Sequence, residues 1–259
     1  MQTSKSNFGR PQKSKIIRTI YITIMLSLNN VQVAVDKKEI IHDFSYQFEQ
    51  GKIYAILGPN GSGKSTLVQS IIGNPRYSLA SQSSLMLNKH ILMNLTPDKR
   101  SQLGIGITFQ SPIALQGISV FQLLRLARKE WDVVKLYEDI ERIAKELKIK
   151  KELLERPLNE GASGGERKKL EILQMAILNP SIIFFDEIDT GVDVDSLRTI
   201  FTFLLKYKKD KTYVFITHYS KIFSYLQVDG VLVMKEGKLV AQGGKELIEA
   251  IDTKGYEAF

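Results

Sequence analysis

The chain has 259 residues, of which 43% are hydrophobic and 25% are charged, a composition typical of a soluble globular protein. It contains no cysteine, which excludes disulfides and any thiolate-bound metal or iron–sulfur cluster within the chain, and no apolar stretch reaches the roughly 18 residues of a membrane span. The net charge of +8 is uneven, because residues 1–24 carry five basic side chains and no acidic one, so the pI argues little for nucleic-acid binding by the remainder.

Residues 1–24 are predicted to form a basic N-terminal extension that is disordered. The run Ile16–Ile22 also resembles a signal or transit segment, but Arg18 interrupts it and no small-residue cleavage site follows. Three interpretations of residues 1–24 therefore remain open: a disordered tail, a translation start assigned too far upstream, and a targeting segment. The folded domain is expected to cover residues 25–259.

The first half of the folded domain is predicted to be mainly β-structure. Alternating or apolar runs predict strands at 26–35, 40–48 and 52–57, a helix at 65–72, a loop plus a strand within 78–88, and a buried strand at 104–110. The strand at 52–57 leads directly into the run Gly58-Pro59-Asn60-Gly61-Ser62-Gly63-Lys64-Ser65-Thr66. A strand that enters Gly-x-x-x-x-Gly-Lys-Ser and then a helix is typical of a loop that cradles a triphosphate. In such a loop Lys64 contacts the β- and γ-phosphates and the Ser65 hydroxyl binds Mg²⁺.

The second half is predicted to begin with a helical segment and then to alternate. Apolar residues spaced by three or four predict helices from 120 to about 156, including the single Trp131, packed between helices. Further helices are expected at 164–178, 194–206 and 245–251, with strands at 182–185 and 213–217 and a hairpin of 231–234 with 239–242. The fold class is therefore α/β, with a mainly parallel sheet.

Two further motifs carry chemistry. Asp186 and Glu187 follow the apolar strand 182–185, at the strand end where α/β sheets place ligands, so Asp186 is predicted to hold Mg²⁺ and Glu187 to activate water. Ser163 and Glu166 fit a helix capping box, but the pattern does not explain Gly164 and Gly165 in the first helical turn. Such glycines suit a helix start whose N–H groups contact a phosphate.

In order along the chain, these motifs resemble the ABC-type ATPases. The resemblance covers residues 25–259 and implies a P-loop core, an antiparallel β subdomain and an inserted helical subdomain at about 112–160. It implies a head-to-tail dimer, in which ATP and Mg²⁺ on one subunit's loop are closed by the helix of the other subunit. The residues to which it extends a role are Gln110, a γ-phosphate sensor and metal contact, Ser163-Gly164-Gly165-Glu166, Asp193 at the subunit boundary, and His218 at the γ-phosphate.

Four short segments narrow the resemblance to the SufC family, the ABC ATPases of iron–sulfur cluster assembly. They are the run 171–176, the run 186–195 with no proline after Glu187, Thr217-His218-Tyr219, and Lys254-Gly255-Tyr256. The chain departs from the pattern in three ways. Ala162 replaces a bulkier apolar residue, the helical segment is short, and no aromatic residue lies at 33–35, where Val35 offers a nucleobase only apolar contact.

The resemblance implies an ATPase that drives iron–sulfur cluster assembly on a soluble SufB/SufD-like scaffold, in the cytoplasm, through a transient ATP-dependent homodimer. Neither nucleic acid nor direct membrane insertion is expected. Three alternatives remain: the nucleotide-binding subunit of an ABC membrane transporter, a degenerate ATP-binding module without turnover, and a nucleic-acid-associated ABC protein. The absent proline disfavours the transporter, and the short segment between Gln110 and Ser163 leaves no room for the coiled-coil insertion of the last class.

Overall fold

The computed structural model describes residues 26–112, 114–218 and 220–259. The predicted extension at 1–24, Met25 and Tyr219 lie outside the described residues. The strands are β1 Leu26–Val35, β2 Lys38–Phe48, β3 Ile53–Leu57, β4 Tyr77–Leu79, β5 Ser84–Leu87, β6 His90–Ile91, β7 Ile105–Thr108, β8 Ile182–Asp186, β9 Thr212–Thr217, β10 Gly230–Lys235 and β11 Lys238–Gly243. The helices are α1 Lys64–Ile71, α2 Pro97–Gln102, α3 Val120–Ala127, α4 Val133–Glu146, α5 Glu152–Glu155, α6 Gly164–Leu178, α7 Val194–Lys206 and α8 Glu246–Lys254.

Most predicted elements are confirmed, several with the same bounds. Two strands, β4 and β5, occupy the region where one strand was predicted. The sequence did not predict α2, the short strand β6 or two 3-10 turns, Ser220–Ser224 and Tyr256–Ala258. The helical segment resolves into α3, α4 and α5, with Trp131 partly buried against the core as predicted. The assignment of this helical segment to a separate subdomain stays a prediction.

Two sheets form the framework. The larger has the order β11-β10-β3-β9-β8-β7, in which β11 is antiparallel to β10 and the other neighbours are parallel. The smaller is antiparallel, with the order β2-β1-β5-β6 and β4 also paired with β1. The strands β3, β8 and β9 are fully buried. Parallel strands that are buried on both faces are rich in apolar residues along their whole length, which explains the apolar runs in these segments.

The core has two parts, one on each face of the larger sheet. Alternate residues of each central strand serve opposite faces, so that Ile56 and Phe184 pack toward the smaller sheet and α1, while Leu57 and Phe185 pack toward α3, α4, α6 and α7. Because β3 and β8 run parallel, with β9 between them, their C-terminal ends meet at one edge of the sheet. The phosphate-binding sequence and the Asp186-Glu187 pair leave the sheet at this edge.

Candidate nucleotide site

The loop between β3 and α1 ends in a glycine turn at the start of the helix. Gly63, the N-cap of α1, has a φ of 98°, which favours glycine, and a Cβ there would lie 2.5 Å from the Ile41 side chain. The first turn of a helix has N–H groups without intrahelical partners, and here Lys64, Ser65 and Thr66 of that turn line a cavity of about 600 Å³. The turn is therefore suited to a polyphosphate.

The Lys64 ammonium lies within this loop. It donates hydrogen bonds to the carbonyl oxygens of Gly58 at 2.7 Å and Pro59 at 2.9 Å, and to Ser62 Oγ at 3.3 Å. Burial lowers the pKa of Lys64, and the nearby carboxylates of Glu187 and Asp186 oppose that shift. Its predicted contact with the β- and γ-phosphates requires the ammonium to exchange these carbonyl partners for phosphate oxygens.

The predicted metal ligands Ser65 and Asp186 are adjacent. Ser65 Oγ donates a hydrogen bond to Asp186 Oδ1 at 3.2 Å, and Asp186 is 2% exposed at the end of β8. Burial raises the pKa of Asp186 to about 6, while the Ser65 hydrogen bond opposes the shift. A hydroxyl and a carboxylate are hard oxygen donors that fit Mg²⁺, which takes its other ligands from phosphates and water. No cluster of three or more histidine or acidic side chains that could hold a metal occurs among the described residues.

The three side chains predicted to be catalytic lie together, with the Glu187 carboxylate between Gln110 and His218. Glu187 Oε2 accepts hydrogen bonds from Gln110 Nε2 at 2.7 Å and Thr190 Oγ1 at 3.2 Å, and Glu187 Oε1 lies 3.5 Å from His218 Nδ1. The backbone of Glu187 has a φ of 47°, a left-handed conformation that costs a non-glycine residue on the order of 1–3 kcal/mol. Gln110 was also predicted to bind the metal, which stays a prediction, and its amide Nε2 donates to Glu187.

The structure does not bring Ser163–Glu166 or Asp193 to this cavity. Ser163 and Glu166 form the predicted capping box at the start of α6, and Asp193 caps α7 by accepting a hydrogen bond from Ser196 N at 2.8 Å. None of these residues lines the cavity around Lys64, and Ser163, Gly164 and Asp193 are exposed. Within one chain, the two sets of predicted nucleotide contacts are therefore separate.

The two glycines of α6 have a packing requirement that the sequence analysis did not consider. A Cβ on Gly164 would lie 2.2 Å from the Gly191 carbonyl oxygen, and one on Gly165 would lie 2.6 Å from Ser196 Oγ. Both positions need glycine, because the loop before α7 approaches Gly164 closely and the start of α7 approaches Gly165 closely. They are therefore not independent signs of a second phosphate site.

An aromatic side chain that the sequence analysis missed lies in the cavity. Strand β4 pairs with β1 so that Tyr77 is opposite Val35, and both residues line the cavity together with Ile40 and Arg76. Residues 33–35 contain no aromatic side chain, and the ring comes from another strand. An isolated aromatic residue after α1 was the only sequence signal, and its pairing partner could not be read from the sequence.

The comparisons with known proteins decide the family. Residues 41–190 match the sequence profile of the family described as ABC transporter. The chain belongs to the ABC transporter ATPase family. It is 39% identical over 243 residues to a "Probable ATP-dependent transporter slr0075" from Synechocystis, covering 90% of this chain and 94% of the relative. It is 38% identical over 245 residues to a "Probable ATP-dependent transporter ycf16" from Cyanophora paradoxa, covering 91% and 94%.

Solved structures confirm the fold class. A nucleotide-free ATP-binding cassette from an ABC transporter superposes with a TM-score of 0.73 at 28% identity, covering 89% of this chain and 96% of that one. The ABC ATPase cassette therefore has the α/β architecture predicted from the sequence, and members of this family bind and hydrolyse ATP. Among the described residues, no helix has the length and apolar character needed to cross a membrane.

Proposed function

We propose that this chain is an ATPase whose Glu187 activates water for attack on the γ-phosphate. The observation that supports this most strongly is the cluster in which Gln110, Thr190 and His218 hold the Glu187 carboxylate next to the Lys64 loop and the Ser65–Asp186 pair. The carboxylate takes a proton from water, the water oxygen bonds to the γ-phosphorus, and the bond from phosphorus to the β–γ bridging oxygen breaks, which gives ADP and phosphate.

Each remaining role follows from position in this cluster. The loop from Gly58 to Thr66 binds the phosphates through its backbone and the Lys64 ammonium. Ser65 and Asp186 would hold Mg²⁺, which would neutralise charge on the phosphate oxygens. Gln110 and His218 orient Glu187 and the γ-phosphate.

The nucleobase is proposed to lie against Tyr77, with Val35 and Ile40 providing apolar contact. A phenol ring at the rim of a phosphate cavity can stack on a base, and such contacts contribute about 1–3 kcal/mol. Tyr77 thus supplies the aromatic surface that is absent at 33–35.

The complete site is proposed to form between two copies arranged head to tail. Ser163 and Gly164 are exposed at the start of α6, outside their own chain's phosphate cavity, and are free to cover the triphosphate of a second copy. Asp193, exposed at the start of α7, would then lie at the boundary. Such a dimer forms when ATP binds and opens after hydrolysis.

The partner is proposed to be a soluble SufB/SufD-like scaffold of iron–sulfur cluster assembly, in the cytoplasm. The support is the resemblance of four segments to the SufC family, together with the absence of cysteine, since a subunit that supplies only mechanical work needs no cluster ligands. The division into residues 1–24 and 25–259, with a helical subdomain at about 112–160, belongs to the same proposal.

The second candidate is the nucleotide-binding subunit of a membrane transporter, which the names of the relatives favour. Both candidates use the same ATP chemistry and differ in the partner. Affinity purification of the tagged chain from its own cells, with the detergent-solubilised membrane fraction and the soluble fraction analysed separately, distinguishes them. A soluble cysteine-containing scaffold supports the first candidate, whereas a protein with several membrane spans supports the second and contradicts the first.

A further inference from the structure

Two charged side chains on the buried face of α6 are not used in the chemistry proposed above. Lys168 and Glu171 have side chains that are 3% and 8% exposed, and Lys168 Nζ lies 3.4 Å from Glu171 Oε2. Neither residue lines the phosphate cavity. Burying two charges is costly unless each is paired and hydrogen-bonded, so the partners of this pair indicate its role.

The partners are backbone groups of the segment that carries Gln110. The Phe109 N–H donates to Glu171 Oε1 at 2.9 Å, and Lys168 Nζ donates to the carbonyl oxygens of Phe109 and, at 3.3 Å, of Gln110. This segment follows β7 and has left the sheet, so its backbone groups receive from α6 the partners that a neighbouring strand would otherwise supply. The Lys168–Glu171 pair thus fixes the Gln110 backbone to α6.

The contacts continue on both sides of this attachment. On one side, Gln110 Nε2 donates to Glu187 at 2.7 Å. On the other, Lys168 lies five residues, or about 7.5 Å of helix, from the exposed Ser163 end of α6. One rigid helix therefore joins the surface proposed to meet the second copy's triphosphate to the carboxylate proposed to activate water in its own chain.

We propose that Lys168 and Glu171 are positioning residues that couple the two nucleotide sites of the dimer. When the triphosphate of the second copy engages Ser163, α6 shifts, and the buried pair moves Gln110 and with it Glu187. This inference depends on the proposed dimer. Because the two copies are identical, ATP at either site promotes the active arrangement at the other, and turnover rises cooperatively with ATP concentration up to a Hill coefficient of 2 for two sites.

The test compares the wild-type chain with Lys168→Met and Glu171→Gln. Phosphate release is measured against MgATP concentration, and binding of a fluorescent ATP analogue is measured separately. The pair is expected to act on turnover, so each variant loses about tenfold in kcat or more, its affinity for the analogue changes less than about threefold, and its Hill coefficient falls from above 1 to 1. Lys206→Met is the control, because it removes a lysine from the exposed pair with Glu146, and it should match the wild type.

A double-mutant cycle with Gln110→Ala tests whether the pair acts through Gln110. The double variant is expected to be no slower than the slower single variant, because both changes break the same link. Multiplicative losses, or a Hill coefficient that is the same in the variants and the wild type, would overturn the coupling. If Lys168→Met does not fold, the same cycle with Glu171→Gln, which preserves the side-chain shape, gives the answer. A wild-type rate per chain that does not depend on protein concentration would instead remove the dimer itself.

Discussion

Replacing Glu187 with glutamine tests the proposed base without changing the shape of the site. The amide oxygen of the new side chain can accept the hydrogen bonds that Gln110 Nε2 and Thr190 Oγ1 donate to the carboxylate at 2.7 and 3.2 Å. The backbone hydrogen bond from Glu187 N to Ile216 O, at 2.9 Å, does not involve the side chain. The free energy of unfolding should therefore change by less than about 1 kcal/mol.

Turnover should fall much more than stability, because an amide cannot take a proton from water. General-base catalysis contributes about 10²–10⁴-fold, so Glu187→Gln is expected to lower kcat at least a hundredfold, or about 2.7 kcal/mol in the activation free energy. Phosphate release at saturating MgATP measures this loss, and calorimetric titration with ATP should show binding within a few-fold of the wild type. Glu257→Gln, on the exposed C-terminal turn, is the control. Near-normal turnover of Glu187→Gln would refute its role as the base.

Three further predictions concern the nucleobase, the metal and the end of helix α1. Tyr77→Ala should weaken ATP binding about tenfold while Tyr77→Phe retains it, and equal affinity of both variants would contradict stacking. At limiting Mg²⁺, turnover should fall as the pH drops through about 6, because protonated Asp186 is a poor metal ligand, and excess Mg²⁺ should move this fall to lower pH since metal and proton compete. A fall at the same pH at all Mg²⁺ concentrations would contradict that assignment. Arg100→Met should lower the free energy of unfolding, measured by urea denaturation, by about 3 kcal/mol. The reason is that the Arg100 guanidinium donates to four carbonyl oxygens, two of them at the end of α1. An unchanged denaturation midpoint would contradict this.

The raised pKa of Asp186 also determines the direction in which the free energy of unfolding changes with pH. Its pKa in the folded chain, about 6, is higher than its ordinary value of 3.8, so the folded state takes up a proton more readily than the unfolded state. Protonation of this group therefore favours folding as the pH falls from 7 toward 4. The buried carboxylate at neutral pH is a cost that bound Mg²⁺ would offset.

The sequence was sufficient for the elements that carry a strong local pattern. The apolar run of β8 followed by Asp186 and Glu187, and the turn before Lys64, each combine period, length and breaker residues in one short segment. The helix α2 was missed because it has six residues, and its buried side chain is Arg100, which reads as a surface residue. Nothing local indicates that a guanidinium is buried to bond helix-end carbonyls.

The features that were missed at the site depend on contacts distant in sequence. Tyr77 reaches the cavity only because β4 pairs with β1, and Lys168 and Glu171 look like ordinary surface charges of a helix until Phe109 is placed beside them. The glycines of α6 show the opposite problem. Their type was informative, but the loop at Gly191 supplies a structural reason that the sequence alone could not distinguish from a phosphate contact.

The shared site is tested most directly by mixing two inactive variants. Lys64→Ala should lose phosphate binding at its own loop but keep a functional α6. Ser163→Arg should keep a functional loop but lose the helix end that covers the other copy's triphosphate. A mixed dimer then contains one complete site, built from the loop of the Ser163→Arg chain and the α6 of the Lys64→Ala chain. The head-to-tail arrangement predicts that each variant alone is inactive and that the mixture hydrolyses ATP, more slowly than the wild type because the α6 of the Ser163→Arg chain meets no triphosphate. A mixture as inactive as its components, or full activity of Ser163→Arg alone, would contradict it.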